Sequence, residues 1–420
     1  MSEREPLSTE PYKGVRDFYP ADWALLSAAF NTIRDVLTGW GYEEYQASPM
    51  ERTELYESKT SEEIVNEQSY TFEDRGGRRV TLRPEMTPTL ARMVAAKRRE
   101  MPFPVRWFSI GNRFRYERPQ KGRLREFYQT DVDFIGLPEG EADIEIIQIA
   151  SSIFKKFGAS DADFTIRISS RTLLNAACEA AGLSGESVKT YTRLLDRKAK
   201  ITPEEFAASA AAITDTDPLS LIENDDERIA EPKAKLFAII EELNRRGVTN
   251  AVFDPSITRG FDYYTGMVFE VNDTSIENPR ALMGGGRYDG LVSLFGGENI
   301  PAVGFAFGDV TLLDFLETHG LTPASESSPQ IYIGTPSPED RTGASTFAAA
   351  LRGQGLRVFL NLTEKALGDQ IKDAIKRSIP YFIAFGANEV GADTIKIKIL
   401  AESAEKEIAR DEIGSFVADQ

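Results

Sequence analysis

Residues 113–133 read RFRYERPQKGRLREFYQTDVD. Between residues 113 and 126 six cations (Arg113, Arg115, Arg118, Lys121, Arg123, Arg125) stand against two acids, Glu117 and Glu126, in a chain of formal charge −17. The pattern alternates, breaks at Pro119, Lys121 and Gly122, and alternates again. This spacing predicts an antiparallel hairpin with a mobile basic loop at its tip. Residues two apart on a strand share a face, so Phe127, Gln129 and Asp133 look the same way. Arginines beside a flat aromatic, an amide and a carboxylate can hold a triphosphate, a base and an amino group in one cleft.

Other routes to nucleotide chemistry are closed. The dipeptide Gly-Lys occurs nowhere, which excludes a Walker A loop. Gly353-Gln354-Gly355 lacks the third glycine of a dinucleotide fingerprint and reads as a plain turn. The single histidine, His319, excludes a two-histidine zinc site and the His-x-x-His pair of adenylating enzymes built on a parallel nucleotide fold. Its place in LETHG reads as a solvated helix end, favoured by the dipole. An antiparallel sheet bearing arginine is the remaining common way to bind ATP.

The elements that must carry these residues are legible from periodicity. Trp23, Leu26, Phe30, Ile33, Leu37 and Trp40 recur at three- and four-residue steps, predicting a helix over 22–40 with Asp22 as cap. YTFEDRGGRRVTLRPE predicts a hairpin turning at Gly76-Gly77, and Thr87-Pro88 caps a helix to about Lys97. A helix from Glu141 ends at Gly158, and DFTIRIS is a strand. Residues 171–250 turn helical, alanine-rich and acidic, as a separate insert does. Strand patterns resume at AVFDPS and MVFEV, followed by the glycine-rich MGGGRYDGL. LTPASESSPQ is the linker candidate, and beyond it IYIGTP, LRVFLNL and YFIAFG alternate with helical patterns. That is a small α/β domain with a mostly parallel sheet.

Bulk properties bound the class. At 420 residues, 41% hydrophobic and 27% charged, the chain suits two or three soluble domains. One cysteine, Cys178, excludes an internal disulfide and reads as buried. The start, MSEREPLSTE, lacks the apolar core of a signal peptide, and no run of about 18 apolar residues predicts a membrane span. A cytoplasmic location is expected. An excess of 66 acids over 49 bases argues against a DNA coat protein, but local cations still allow contact with nucleic-acid phosphates.

LRPEMTPTLARMV, FRYERPQKGRLREFYQTDVDF, RGFDYYTGMVFEV and GGGRYDGL together resemble the histidyl-tRNA synthetase family of class II aminoacyl-tRNA synthetases, in order and spacing, from KGVRDFYP into the C-terminal domain. The resemblance implies an α+β fold, an antiparallel six- or seven-stranded sheet flanked by helices. It implies a catalytic domain of residues 1–170 and 251–320, a helical insertion at 171–250, a linker at 321–329 and an α/β anticodon-binding domain at 330–420. It further implies an aminoacyl-tRNA ligase that adenylates L-histidine with ATP and Mg2+, then passes it to the 3′ end of tRNA(His). A homodimer is implied too, since GYEEYQASP resembles the class's interface motif, ending here in Pro49.

Residue roles follow from the same match. Arg115 resembles the class arginine that holds the α-phosphate and the substrate carboxylate, as a guanidinium fork suits two oxygens. Arg259 resembles a second arginine across the reacting centre, special to this family. Glu117 resembles the residue that receives the adenine amino group, Phe127 the adenine platform and Arg123 the γ-phosphate contact. Arg118 and Lys121 read equally as that contact, a tRNA contact or solvated charge. Glu85, Thr87 and Gln129 resemble the ligands of the substrate ammonium, and Asp133 and Tyr264 the pair that grips the imidazole nitrogens. Many bacterial relatives carry glutamate at the position of Asp133. Tyr263 is expected in the same pocket or in the core. Gly284, Gly285 and Gly286 are expected to let backbone approach a ligand, or to form a turn. Lys372 with Lys376, and Lys396 with Lys398, are candidate tRNA contacts or solvated faces.

The resemblance departs at Gly308-Asp309-Val310-Thr311, where the class expects an arginine. A substituting cation, with Arg287 the candidate, and weaker ATP binding are the alternatives. A second function stays open: a histidine-sensing regulatory subunit of ATP phosphoribosyltransferase, although such paralogues usually lack the C-terminal domain. A class II ligase for another amino acid is the third.

Overall fold

The computed structural model describes residues 7–57, 67–120, 122–198, 201–224, 226–257, 263–324 and 329–418. The larger of two compact units comprises the described residues to 324 apart from 19–24, and the smaller comprises 19–24 and the described residues from 329.

In chain order the strands to residue 324 are β1 (Glu43–Glu44), β2 (Met50–Arg52), β3 (Tyr70–Glu73), β4 (Arg79–Leu82), β5 (Val105–Phe114), β6 (Glu126–Ile135), β7 (Phe164–Ser170), β8 (Ala251–Phe253), β9 (Met267–Asp273), β10 (Ala281–Arg287) and β11 (Ala302–Gly308). The helices are α1 (Pro20–Gly39), α2 (Thr53–Glu57), α3 (Thr87–Lys97), α4 (Glu141–Lys156), α5 (Arg171–Ala180), α6 (Glu186–Asp196), α7 (Pro203–Ala211), α8 (Pro218–Glu223), α9 (Ala230–Arg245) and α10 (Asp309–Thr318).

Among the described residues, eight strands form one sheet in the order β1-β5-β6-β11-β10-β9-β7-β8. Its inner strands pair antiparallel, while β1 joins β5 and β8 joins β7 in parallel. The expected antiparallel sheet thus carries a parallel strand at each edge. A separate three-stranded sheet, β2-β4-β3, contains the hairpin turning at Gly76-Gly77, where Gly77 takes the φ of +74° that favours glycine.

Period two explains the inner strands. On β6, Val132 and Phe134 enter the core beneath the helices, while the alternate residues face the opposite side. The stripe Leu26, Phe30, Ile33 and Leu37 of α1 packs into that core, each burial contributing roughly 1.5–3 kcal/mol. The helix begins at Pro20, so Asp22 lies in its first turn and is not its cap. Likewise Thr87 is the first residue of α3, behind the cap position Met86. Ile146, Ile147, Ile149 and Ile153 of α4 join the same cluster, which runs on through Leu173, Leu195, Leu219 and Ile240 of α5, α6, α8 and α9. Cys178 is buried there, and burial pushes its thiol up to about 12.

The smaller unit contains β12 (Ile331–Gly334), β13 (Val358–Leu360), β14 (Tyr381–Ala384), β15 (Thr394–Ile399) and β16 (Ala404–Ala409), with α11 (Arg341–Gly353), α12 (Leu367–Lys376) and α13 (Ile413–Ala418). The strand order is β13-β12-β14-β15-β16. Only β13, β12 and β14 are parallel; β15 and β16 add an antiparallel hairpin, so the sheet is mixed. Alternation sends Ile331, Ile333 and Ile383 to one face and Tyr332 and Phe382 to the other, giving two apolar clusters.

Candidate active site

The basic hairpin forms as its alternation predicts, but β5 ends at Phe114 and β6 starts at Glu126, so Arg115–Arg125 is connecting loop. Lys121 lies outside the described residues. Arg115 stands just past β5, where its Nε donates to the carbonyl of Pro84 at 2.9 Å. Its guanidinium carbon sits 5.4 Å from the centroid of the Phe127 ring. Burial holds its pKa below the ordinary arginine value. Arg123 pairs with Glu117 at 3.2 Å.

Phe127, Gln129 and Asp133 share one face of β6 and line a single cavity of about 1080 Å³. Asp131 belongs to the same row and lines it too. Glu85, Thr87, Arg115, Glu117, Arg123, Tyr263 and Tyr264 reach this cavity from other elements. Arg259 lies outside the described residues, so its expected approach to Arg115 does as well.

The floor of the cavity is a buried charge network. Asp131 takes an ion pair from the fully buried Arg113 at 2.5 Å and a hydrogen bond from Nε2 of Gln129 at 2.7 Å. With its amide nitrogen engaged there, Gln129 is left with its carbonyl oxygen as an acceptor. Tyr263 lies in a core cluster with Tyr288 and also donates from its hydroxyl to Glu85 at 3.0 Å, so both expected placements hold. Burial raises the Tyr263 and Tyr288 hydroxyls well above their ordinary values.

Asp133 is 4% exposed and accepts a hydrogen bond of 2.5 Å from the Tyr288 hydroxyl. Burial pushes its carboxyl up to about 8, with Asp131 adding to the rise and Tyr288 and Arg113 opposing it. Tyr288 was not among the residues expected here, nor were Asp131 and Arg113. Asp131 keeps step with Gln129 and Asp133, and Tyr288 follows the glycine run, so both carry a signal in retrospect.

Gly284, Gly285 and Gly286 form the middle of β10, not a turn. Their value is close packing: a Cβ on Gly286 would meet the Tyr264 ring at 2.9 Å, and one on Gly285 would collide with Gly304 of β11.

Residues 14–311 match the family model described as histidyl-tRNA synthetase, and residues 330–420 match the anticodon binding domain model. Over 416 residues the chain is 40% identical to the histidine–tRNA ligase of Leptospira biflexa, spanning 95% of each. The chain belongs to the histidyl-tRNA synthetase family. The crystal structure of histidyl-tRNA synthetase from Nostoc sp. PCC 7120 shares the fold, with a TM-score of 0.83 at 24% identity over 99% of this chain and 100% of that one. An ATP phosphoribosyltransferase regulatory subunit/histidyl-tRNA synthetase from Bacillus halodurans shares it as well, with a TM-score of 0.71 at 23% identity over 91% and 100%.

Two expectations are corrected, one drawn from the family resemblance and one from the sequence itself. Arg287 does not stand in for the class arginine. It is 1% exposed and bound to Asp143 at 2.6 Å, to Asp289 at 2.9 Å and to the carbonyls of Leu137 and Pro138. Asp309, in the departing segment, is buried and bound by Arg16 at 2.6 Å and by the Tyr128 amide at 3.0 Å, which ties it to β6. Nor is His319 a solvated helix end. It caps α10 half-buried, with Nε2 2.8 Å from Asp273 and its ring 4.5 Å from that of Phe315.

Among the described residues no cluster of acids, histidine and cysteine is set to hold a metal, and no helix is long and apolar enough to cross a membrane. Lys372 pairs with Asp369 at 2.9 Å, and Lys398 pairs with Glu405 at 3.8 Å opposite it on β16.

Proposed function

We infer that this chain is a histidine–tRNA ligase. It joins L-histidine to ATP, forming histidyl-adenylate, and then transfers the histidyl group to the 3′ end of tRNA(His). The observation that carries this reading is the convergence of Arg115 and Phe127 with Gln129 and Asp133 on one cavity, in a chain of this family.

In the first step a carboxylate oxygen of histidine attacks the α-phosphorus, and the bond to the bridging oxygen breaks to release pyrophosphate. Arg115, anchored through Nε, keeps its terminal nitrogens for the α-phosphate and the carboxylate. Arg259 serves the same phosphate from across the centre, stabilising charge as it builds. Adenine stacks on Phe127, its amino group meets Glu117, and Arg123 leaves Glu117 for the γ-phosphate. Magnesium arrives with the ATP phosphates as part of the substrate.

The ammonium of histidine has three donors, and Glu85, Thr87 and the carbonyl of Gln129 offer acceptors. Asp133, steadied by Tyr288, and Tyr264 take the two imidazole nitrogens, with Tyr263 holding Glu85. An apolar amino acid would leave these groups unpaired, a penalty on the order of 10⁴ in selectivity. Arg118, Lys121, Lys372, Lys376, Lys396 and Lys398 remain the candidates for tRNA phosphates.

The catalytic domain is taken as residues 1–170 and 251–320, carrying the insertion 171–250, with a linker at 321–329 and the anticodon-binding domain at 330–420. A homodimer is favoured by the exposed Met50 and Phe72 on one face of the small sheet. We place the protein in the cytoplasm, where its tRNA substrate is. The regulatory-subunit reading has weaker support, resting on shared fold alone, and this chain keeps the C-terminal domain.

Histidine-dependent exchange of pyrophosphate into ATP by the pure protein, run with a panel of amino acids and followed by charging of tRNA(His), tests the reading. No exchange with histidine overturns it, and exchange with another amino acid reassigns the substrate.

A further inference from the structure

The cavity has a guanidinium that nothing above employs. Arg280 immediately precedes β10, half-buried, and lines both the main cavity and an adjoining side cavity of about 290 Å³. Its Nη1 is buried with no hydrogen-bond partner among the described residues. It faces the tip of the basic loop: a Cβ on Gly122 would lie 3.2 Å from Nη1 and 3.7 Å from Cζ. Gly122 precedes Arg123, so Arg280 stands against the loop segment that carries Arg123, and both arginines line the main cavity.

Elimination sharpens the case. Arg123, paired with Glu117, is already assigned to the γ-phosphate; Arg167 is paired with Asp254, Lys198 lies over the Phe206 ring, and Arg287 is enclosed by Asp143 and Asp289. Arg115 lies beside Phe127 and is already assigned to the α-phosphate. Thr311 lines both cavities beside Arg280, but its hydroxyl is directed to the carbonyls of Leu282 and Gly308 and carries no charge. A buried donor without a partner is costly, and a guanidinium fork suits phosphate oxygens.

We propose that Arg280 binds the terminal phosphates of ATP and stabilises the pyrophosphate as it leaves, supplying from just before β10 the cation absent from residues 308–311. The assignment rests on the ATP-dependent reading above. When the bridging P–O bond breaks, its electron pair goes to the departing pyrophosphate, and Arg280 stands where that charge collects.

The test uses the full-length protein, with calorimetric titration of ATP and of histidine separately, alongside exchange kinetics. Arg280→Ala weakens ATP about ten- to a hundredfold, leaving histidine affinity unchanged. Arg280→Lys recovers part of the loss. Thr311→Arg placed in the Arg280→Ala background recovers more, since it returns a guanidinium to the same wall. Unchanged ATP affinity in Arg280→Ala and in Arg280→Gln overturns the proposal, and so does equal weakening of ATP and histidine, the mark of a structural role. A wild-type protein that binds ATP through Arg280 but shows no histidine-dependent exchange defeats the ligase reading and leaves this assignment standing. A wild-type protein that binds no ATP defeats both.

Discussion

The Tyr288 hydroxyl and the Asp133 carboxylate meet at 2.5 Å although 155 residues separate them in the chain. Sheet register brings them together. Gly286 of β10 pairs with Gly304 of β11, and Gly304 pairs with Asp133 of β6. Tyr288, two residues past Gly286, reaches over a strand that presents no side chain at the crossing. The specificity of the pocket therefore depends on glycine as much as on the polar groups it displays.

The first prediction concerns pH. Burial pushes the folded Asp133 carboxyl from its ordinary 3.8 up to about 8. Across that window the folded protein keeps a proton that the unfolded chain has lost. The contribution of this group to ligand-free stability is therefore full below about pH 4 and is lost as pH rises to about 8. Asp133→Asn removes this dependence. Thermal melts over that range should show the wild-type midpoint falling relative to the variant, and parallel curves would contradict the burial argument.

Asp131 carries the second. Its carboxylate joins Arg113 to Gln129, and it orients the Gln129 amide. Asp131→Asn frees that amide to turn its nitrogen toward the substrate ammonium, donor against donor. It also leaves the Arg113 charge buried without its counter-ion, costing about 3–5 kcal/mol of stability. KM for histidine should rise about tenfold to a hundredfold, with KM for ATP little changed. An unaltered histidine KM would show that Gln129 is held by other contacts.

How much of this was legible beforehand follows from how local each signal is. The row Phe127, Gln129, Asp133 was readable because strand alternation is a property of adjacent residues. Tyr288 was not, because its partner is chosen by a three-strand register that no local pattern specifies. The glycines of β10 left turn and close approach open, since permissive backbone and absent side chain look alike in sequence. Arg287 looked available because cations usually sit outside; the carboxylates of Asp143 and Asp289 enclose it. His319 was misread for the related reason that helix ends are usually wet. The parallel pairing at the edges of the large sheet and the closing hairpin of the smaller one were not legible, because alternation does not say which neighbour a strand of two or three residues joins, and β15–β16 is half exposed.

The third prediction is steric. A Cβ on Gly304 would collide with Oδ1 of Asp133 and approach the Val132 carbonyl at 2.6 Å. Both lie on a rigid inner strand, so Gly304→Ala must displace the carboxylate or spread the strands, costing about 1–3 kcal/mol. Histidine affinity should fall sharply while the ATP end, built on the loop 115–125, keeps its affinity. Titration of each ligand separately tests this; equal losses would mean that the sheet had opened as a whole.

The fourth turns on the shape of one cation. Arg115 is fixed through Nε to Pro84 and lies 5.4 Å from the centroid of the Phe127 ring, so its planar fork is preorganised where the proposed function needs it, at the α-phosphate. Lysine at this position keeps the charge but neither the anchor nor the fork. A ground-state ion pair would tolerate that exchange, whereas stabilisation of charge developing on the α-phosphate depends on donors already in place. Arg115→Lys should therefore lower kcat for pyrophosphate exchange by about 10²–10³. KM values for ATP and histidine should move far less, and the melting temperature should hold. Exchange kinetics decide it: a variant that loses affinity but keeps kcat would make Arg115 a tether for the nucleotide and pass the chemistry to another group.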